Sequence, residues 1–236
     1  MPDEAPSDLP GPWTAEILGD ATSPSVVVVV HGGNWRPDLT AEMTQPLAEA
    51  LAAEGPWVCN IAYARPGMAG GGWPGTGLSV RAALGGAVKA ARGRPVIAVG
   101  HSAGGHLALW AARDSGVTAV ISLAGVTDLA IAAAQDDLRD DVAALIGGDP
   151  AQRPDAVADA SPIVGLPLGV PAVLIHGTAD DVVPIEHSRS YVAAARAAGD
   201  DADLVELADG DHSQIRDPGS EAWPTVRDRV ARAAGR

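Results

Sequence analysis

Ser102 stands in Gly100-His101-Ser102-Ala103-Gly104, a serine held between two glycines. The apolar run at 95–100 reads as a strand, and the Ala- and Leu-rich run at 103–113 reads as a helix. On so tight a strand-to-helix turn the hydroxyl is lifted above the sheet edge, and the glycines relieve the close backbone approach. A serine hydroxyl becomes a nucleophile only with a base beside it. Six histidines are candidates: His31, His101, His106, His176, His187 and His212. The turn is expected to aim His101 and His106 away from Ser102, with His106 packing or making a structural hydrogen bond. His176 ends a strand and is expected to order the acidic loop that follows. His187 opens a helix, where the dipole disfavours a cation. His212 follows the last apolar run in Ala208-Asp209-Gly210-Asp211-His212-Ser213 and is the expected base.

A base of this kind needs a carboxylate to fix its tautomer and to stabilise its cation. Asp128, Asp180, Asp181, Asp209 and Asp211 are candidates. The loop at 176–184 follows a strand, as the acid's loop should. Asp180 and Asp181 are adjacent and point different ways, so only one of them can serve. A negative oxygen developing on a substrate needs backbone N–H donors. Ala103 supplies one, and Gly33 or Asn34 in His31-Gly32-Gly33-Asn34-Trp35 supplies a second. Trp35, Trp73 and Met68 lie in nearby loops and are candidates to line a substrate pocket. For Trp35, packing beside the oxyanion loop is an equal alternative. Arg36 is read as an exposed salt bridge, and Trp110 and Trp223 as core residues.

These groups need a scaffold. Strands are predicted at 13–18, 25–30, 57–64, 95–100, 117–123, 172–176 and 203–207. Helices are predicted at 40–54, 78–92, 103–113, 186–198 and 221–234. Pro46 implies a kink or a later start in the first helix. Residues 65–77 form a glycine-rich loop. Residues 127–168 are less regular, with helical patches at 138–146 and 155–160. The alternation predicts an α/β fold, a doubly wound, mostly parallel sheet with helices on both faces. In such sheets sites lie beyond the carboxyl ends of the strands. His31–Asn34, Ser102, Asp128, Asp180, Asp181 and His212 all follow apolar runs in this way.

The 236 residues are enough for one large domain, expected at 13–236, after an acidic, Pro-rich leader at 1–12 expected to be disordered. That leader has no basic or apolar signal-peptide region, and no apolar run reaches the length of a membrane span. A cytoplasmic location follows as the expectation. The net charge of −14 argues against nucleic acid and membrane as partners. Cys59 is the one cysteine, expected to be a buried structural thiol. No metal-binding motif and no P-loop ending appear, so neither a metal nor another cofactor is expected. Phe is absent while Trp occurs six times, so any aromatic pocket must be built from Trp, Tyr or His. The sequence specifies no oligomeric state.

Together, HGGNWRP at 31–37, GHSAGGHLALW at 100–110, HGTADDVVP at 176–184 and GDHSQIRDP at 210–218 resemble the α/β-hydrolase superfamily. More narrowly they resemble its small esterase and kynurenine formamidase-like branch. The resemblance implies a small or absent cap and the chain order Ser, Asp, His. Its HG-x-x-D-x-x-V-P pattern puts the acid at Asp180, leaving Asp181 to brace the loop. It also implies acyl transfer through Ser102, His212 and Asp180 on a small-molecule ester, or alternatively on an N-formyl amide. A non-catalytic binding protein on the same scaffold is a third expectation. The chain departs from many relatives at Asn34 and Ser213, where an aromatic residue is common.

Overall fold

The computed structural model describes residues 13–235, so the leader expected at 1–12 lies outside the described residues. Among the described residues the sheet has seven strands: β1 (Thr14–Leu18), β2 (Val26–Val30), β3 (Trp57–Ala62), β4 (Val96–His101), β5 (Ala119–Leu123), β6 (Ala172–Gly177) and β7 (Ala202–Leu207). Their order is β1-β3-β2-β4-β5-β6-β7. Only β1 runs antiparallel to its neighbour. The five valines of β2 are all 0% exposed, because both faces of this central strand are covered. Val26, Val28 and Val30 pack on one face with residues of α2 (Gly75–Ala91), α3 (Ala103–Ala112) and α7 (Glu186–Ala197). Val27 and Val29 pack on the other with α1 (Gln45–Ala53) and α8 (Trp223–Ala233). Each such valine contributes about 1.5–3 kcal/mol, an upper figure because unfolded chains are partly collapsed.

Two helix starts, α1 and α2, and one additional helix depart from expectation for local reasons. α1 begins at Gln45, after a 3-10 turn at Ala41–Thr44, because Pro46 is tolerated only in a first turn. α2 begins at Gly75 rather than at 78. The Thr76 N–H donates to Gly72 O at 2.7 Å and the Thr76 hydroxyl accepts from Gly72 N–H at 3.1 Å, closing that turn. The connection between β5 and β6 holds three short helices, α4 (Leu129–Ala133), α5 (Asp136–Ile146) and α6 (Pro154–Ala160). α4 was not anticipated; Asp128 caps it by accepting from the N–H groups of Ala130 and Ile131.

Register positions the candidate residues. Val30 lies opposite Gly100, so His31 and Gly32 leave β2 beside His101 and Ser102. Gly177 lies opposite Leu207, which brings the loops that follow β6 and β7 together. Among the described residues, no helix is long and apolar enough to cross a membrane.

Candidate active site

Ser102 sits between β4 and α3 with φ 55° and ψ −123°, a strained conformation for a residue with a side chain. Its amide donates to Leu123 O at 2.9 Å, and its carbonyl accepts from His106 N–H at 3.1 Å. Glycine is obligatory on both sides. A Cβ on Gly100 would lie 2.2 Å from Gly104 O, and one on Gly104 would lie 2.0 Å from Val30 O. The strand-to-helix turn therefore presses against both its own helix and β2.

The loops after β6 and β7 bring Asp180 and His212 into contact. His212 Nδ1–H donates to Asp180 Oδ2 at 2.7 Å, and the Asp180 side chain is fully buried. The other oxygen, Oδ1, accepts from the N–H groups of Val182 and Val183 at 2.9 and 2.8 Å. His176 Nε2 lies 3.3 Å from Asp180 Oδ2 and 2.8 Å from Val183 O, so His176 does order this loop. Burial alone would raise the Asp180 carboxyl. Hydrogen bonds from His176 and His212, the nearby His212 charge and the Val183 N–H outweigh burial and hold it well below the usual carboxylate range. Asp181 is exposed. Asp128 caps α4, and Asp211 accepts from the N–H groups of Ser213 and Gln214, both at 2.8 Å.

The loop after β2 carries three successive left-handed residues: Gly33 at φ 98°, Asn34 at 50° and Trp35 at 59°. Among the described residues, no backbone carbonyl takes the N–H of Gly33, Asn34 or Ala103. The strain is held by side chains. Asn34 Nδ2–H donates to Asp141 Oδ2 at 3.0 Å, and Arg36 forms a two-pronged pair with Asp141 at 2.6 and 2.8 Å. Trp35 Nε1–H donates to His106 Nδ1 at 3.1 Å. Trp35 is 1% exposed, so its geometry fits the packing alternative rather than pocket lining.

Trp73 and Trp110 stack edge to face at 4.6 Å. Trp73 Nε1–H donates to Asp159 Oδ2 at 2.7 Å, Trp110 Nε1–H to Asp159 O at 2.8 Å, and His106 Nε2–H to Ala160 O at 2.7 Å. Three rings thus hold the end of α6. Trp110 and Trp223 are partly buried rather than fully buried; the outer face of Trp110 carries the Arg81 guanidinium 4.1 Å from its ring centre. Met68 is 44% exposed.

His101 turns its ring to the loop after β7. Its Nε2–H donates to His212 O at 2.8 Å, and the two rings lie 4.7 Å apart. The loop after β7 thus reaches the end of β4, and it also packs on the end of β6, where a Cβ on Gly177 would lie 2.0 Å from the Gly210 carbonyl. Strand alternation carries no signal of these contacts. Burial, then the His212 charge, pushes His101 down to about 3, so it is neutral near pH 7.

A family model, BD-FAE, matches residues 19–194. Esterase LipC of Mycobacterium tuberculosis (strain ATCC 25618 / H37Rv) is 30% identical over 248 residues, covering 94% of this chain. The chain spans 60% of the length of that relative. Among solved structures, a truncated carbohydrate esterase from gut microbiota superimposes with a TM-score of 0.77 at 21% identity, covering 92% of this chain and 88% of that one. The propionate-bound thermophilic esterase Est2 of the Planctomycetes species Thermogutta terrifontis superimposes with a TM-score of 0.75 at 21% identity, covering 96% and 94%.

Proposed function

We propose, from the premise that the chain belongs to the BD-FAE family, of α/β-hydrolase type, that it hydrolyses small carboxylic esters through an acyl-enzyme on Ser102. The observation that carries this reading is the buried Asp180–His212 hydrogen bond of 2.7 Å. With its proton on Nδ1, His212 keeps the Nε2 lone pair for a hydroxyl. His212 Nε2 takes the Ser102 Oγ proton as Oγ bonds to the ester carbonyl carbon. The carbonyl π pair moves to its oxygen, held by the N–H groups of Ala103 and of Gly33 or Asn34. As the oxyanion collapses the C–O bond to the alcohol breaks, and His212 returns the proton to the leaving oxygen. Water then repeats the sequence and releases the acid.

Labelling by a fluorophosphonate probe and turnover of p-nitrophenyl acetate test this reading. Label on Ser102, lost in Ser102→Ala together with several orders of magnitude in kcat, is the expected result. An unlabelled Ser102 would falsify it. N-formylkynurenine is the contrast substrate; efficient deformylation with a negligible ester rate would replace esterase by formamidase.

A further inference from the structure

Arg65 is 5% exposed, in the loop after β3. Among the described residues it has no carboxylate partner. Its Nη1–H donates to His31 Nε2 at 3.1 Å and its Nη2–H to Pro37 O at 3.3 Å. A buried guanidinium without a counter-ion is costly, and this chain has carboxylates to spare, with a net charge of −14.

The neighbours of Arg65 show where its charge acts. A guanidinium has donors only, so His31 Nε2 must be the lone-pair nitrogen. Burial, then the Arg65 charge, lowers His31 to about 4 against the pull of its hydrogen bond to Gly32, so the ring is neutral near pH 7. Its single proton is therefore on Nδ1, which donates to Gly32 O at 2.7 Å. Tyr63 fixes the ring, stacking on it at 4.4 Å and donating its hydroxyl to His31 O at 3.0 Å. Gly32 O belongs to the same peptide group as the Gly33 N–H. That group lies against the nucleophile turn, since a Cβ on Gly32 would be 3.0 Å from Ser102 Cβ.

We propose that Arg65 acts through His31 to polarise the Gly32–Gly33 peptide group, making Gly33 N–H a stronger donor to the substrate oxyanion. A hydrogen bond accepted at a peptide oxygen draws density from the N–H of that peptide, and such chains reinforce one another. No proton changes hands. The counter-charge that Arg65 lacks appears only when the tetrahedral oxyanion forms, so the effect belongs to the transition state rather than to substrate binding. Arg65 is a positioning residue. The inference rests on the reading of Gly33 as an oxyanion donor.

Three measurements test it: kcat and KM for p-nitrophenyl acetate, the inhibition constant of phenylboronic acid, which adds to the serine as a tetrahedral anion, and ¹⁵N NMR of His31. Arg65→Gln is expected to lower kcat on the order of tenfold, less than the ~10²–10³ for loss of a whole donor, with KM within about twofold. Boronate affinity should weaken by the same factor, and Arg65→Lys should recover most of both. In the unaltered protein the His31 proton should reside on Nδ1. A folded Arg65→Gln protein with full kcat, or one with lowered kcat and unchanged boronate affinity, overturns the proposal. A proton on Nε2 overturns it even if no variant folds. Failure of the unaltered protein to label at Ser102 removes the esterase reading, and this catalytic role with it, while leaving the His31 tautomer as measured.

Discussion

Asp180 and Asp181 are adjacent and identical in chemistry, yet one is enclosed by N–H groups and the other faces water. Both Asp180 oxygens accept hydrogen bonds. An asparagine has one acceptor oxygen, so Asp180→Asn must set its NH₂ against either His212 Nδ1–H or the Val182 and Val183 amides. We expect kcat to fall by about 10⁴ in Asp180→Asn, and to stay within about twofold in Asp181→Asn. Steady-state turnover of p-nitrophenyl acetate by the two variants decides the assignment; the reverse pattern would move the acid to Asp181. The pairing of Asp180 with His212 was legible because Asp180 follows a strand within a recognisable loop pattern. The partner of His101 was not. A ring's direction at a strand end depends on which distant loop folds over it, and here that loop arrives from residues 209–213.

At the scale of elements, the loop of Gly33, Asn34 and Trp35 and the helix α5 depend on one another. Two non-glycine residues in the left-handed region cost roughly 1–3 kcal/mol each, and Asp141 offsets part of this by holding Asn34 and Arg36. Asp141→Ala should release the loop, lowering kcat by about tenfold, because small misplacements of catalytic groups are costly. Parallel kinetics and thermal melts would check this; an unchanged kcat would show that the backbone holds the loop unaided. The sequence displayed the loop plainly in its glycine pair. It hid the clamp, since Asp141 lies in an Asp-rich helix that reads as a solvated face. Arg65 was hidden likewise, a long cation that composition alone would place in water.

Across the whole molecule, four histidines are buried in neutral form. His31, His106 and His187 are lowered to about 4 and His101 to about 3, in each case first by burial. Their folded values lie below the ordinary 6.5, so the unfolded chain binds more protons between those limits. Stability is full above about pH 6.5 and is lost as pH falls toward 4. The depressed Asp180 carboxyl adds a further loss only at lower pH, below the ordinary carboxylate value. We expect Tm to drop by at least about 10 °C between pH 7 and pH 5. Calorimetry across that range would test it, and a flat profile would mean that these rings protonate without unfolding. The doubly wound sheet and its reactive edge were legible because strand periodicity and the carboxyl-end rule constrain each other; proton placement required the packed structure.

The chain has no Phe, and the tryptophans around α6 show what one would lack there. Trp35, Trp73 and Trp110 each lend an N–H to a specific acceptor. Phenylalanine would fill much of the same space but could not fasten it. These three serve as rivets more than as filler, so a swap that conserves bulk would still loosen the seam between the sheet's helices and the segment above them.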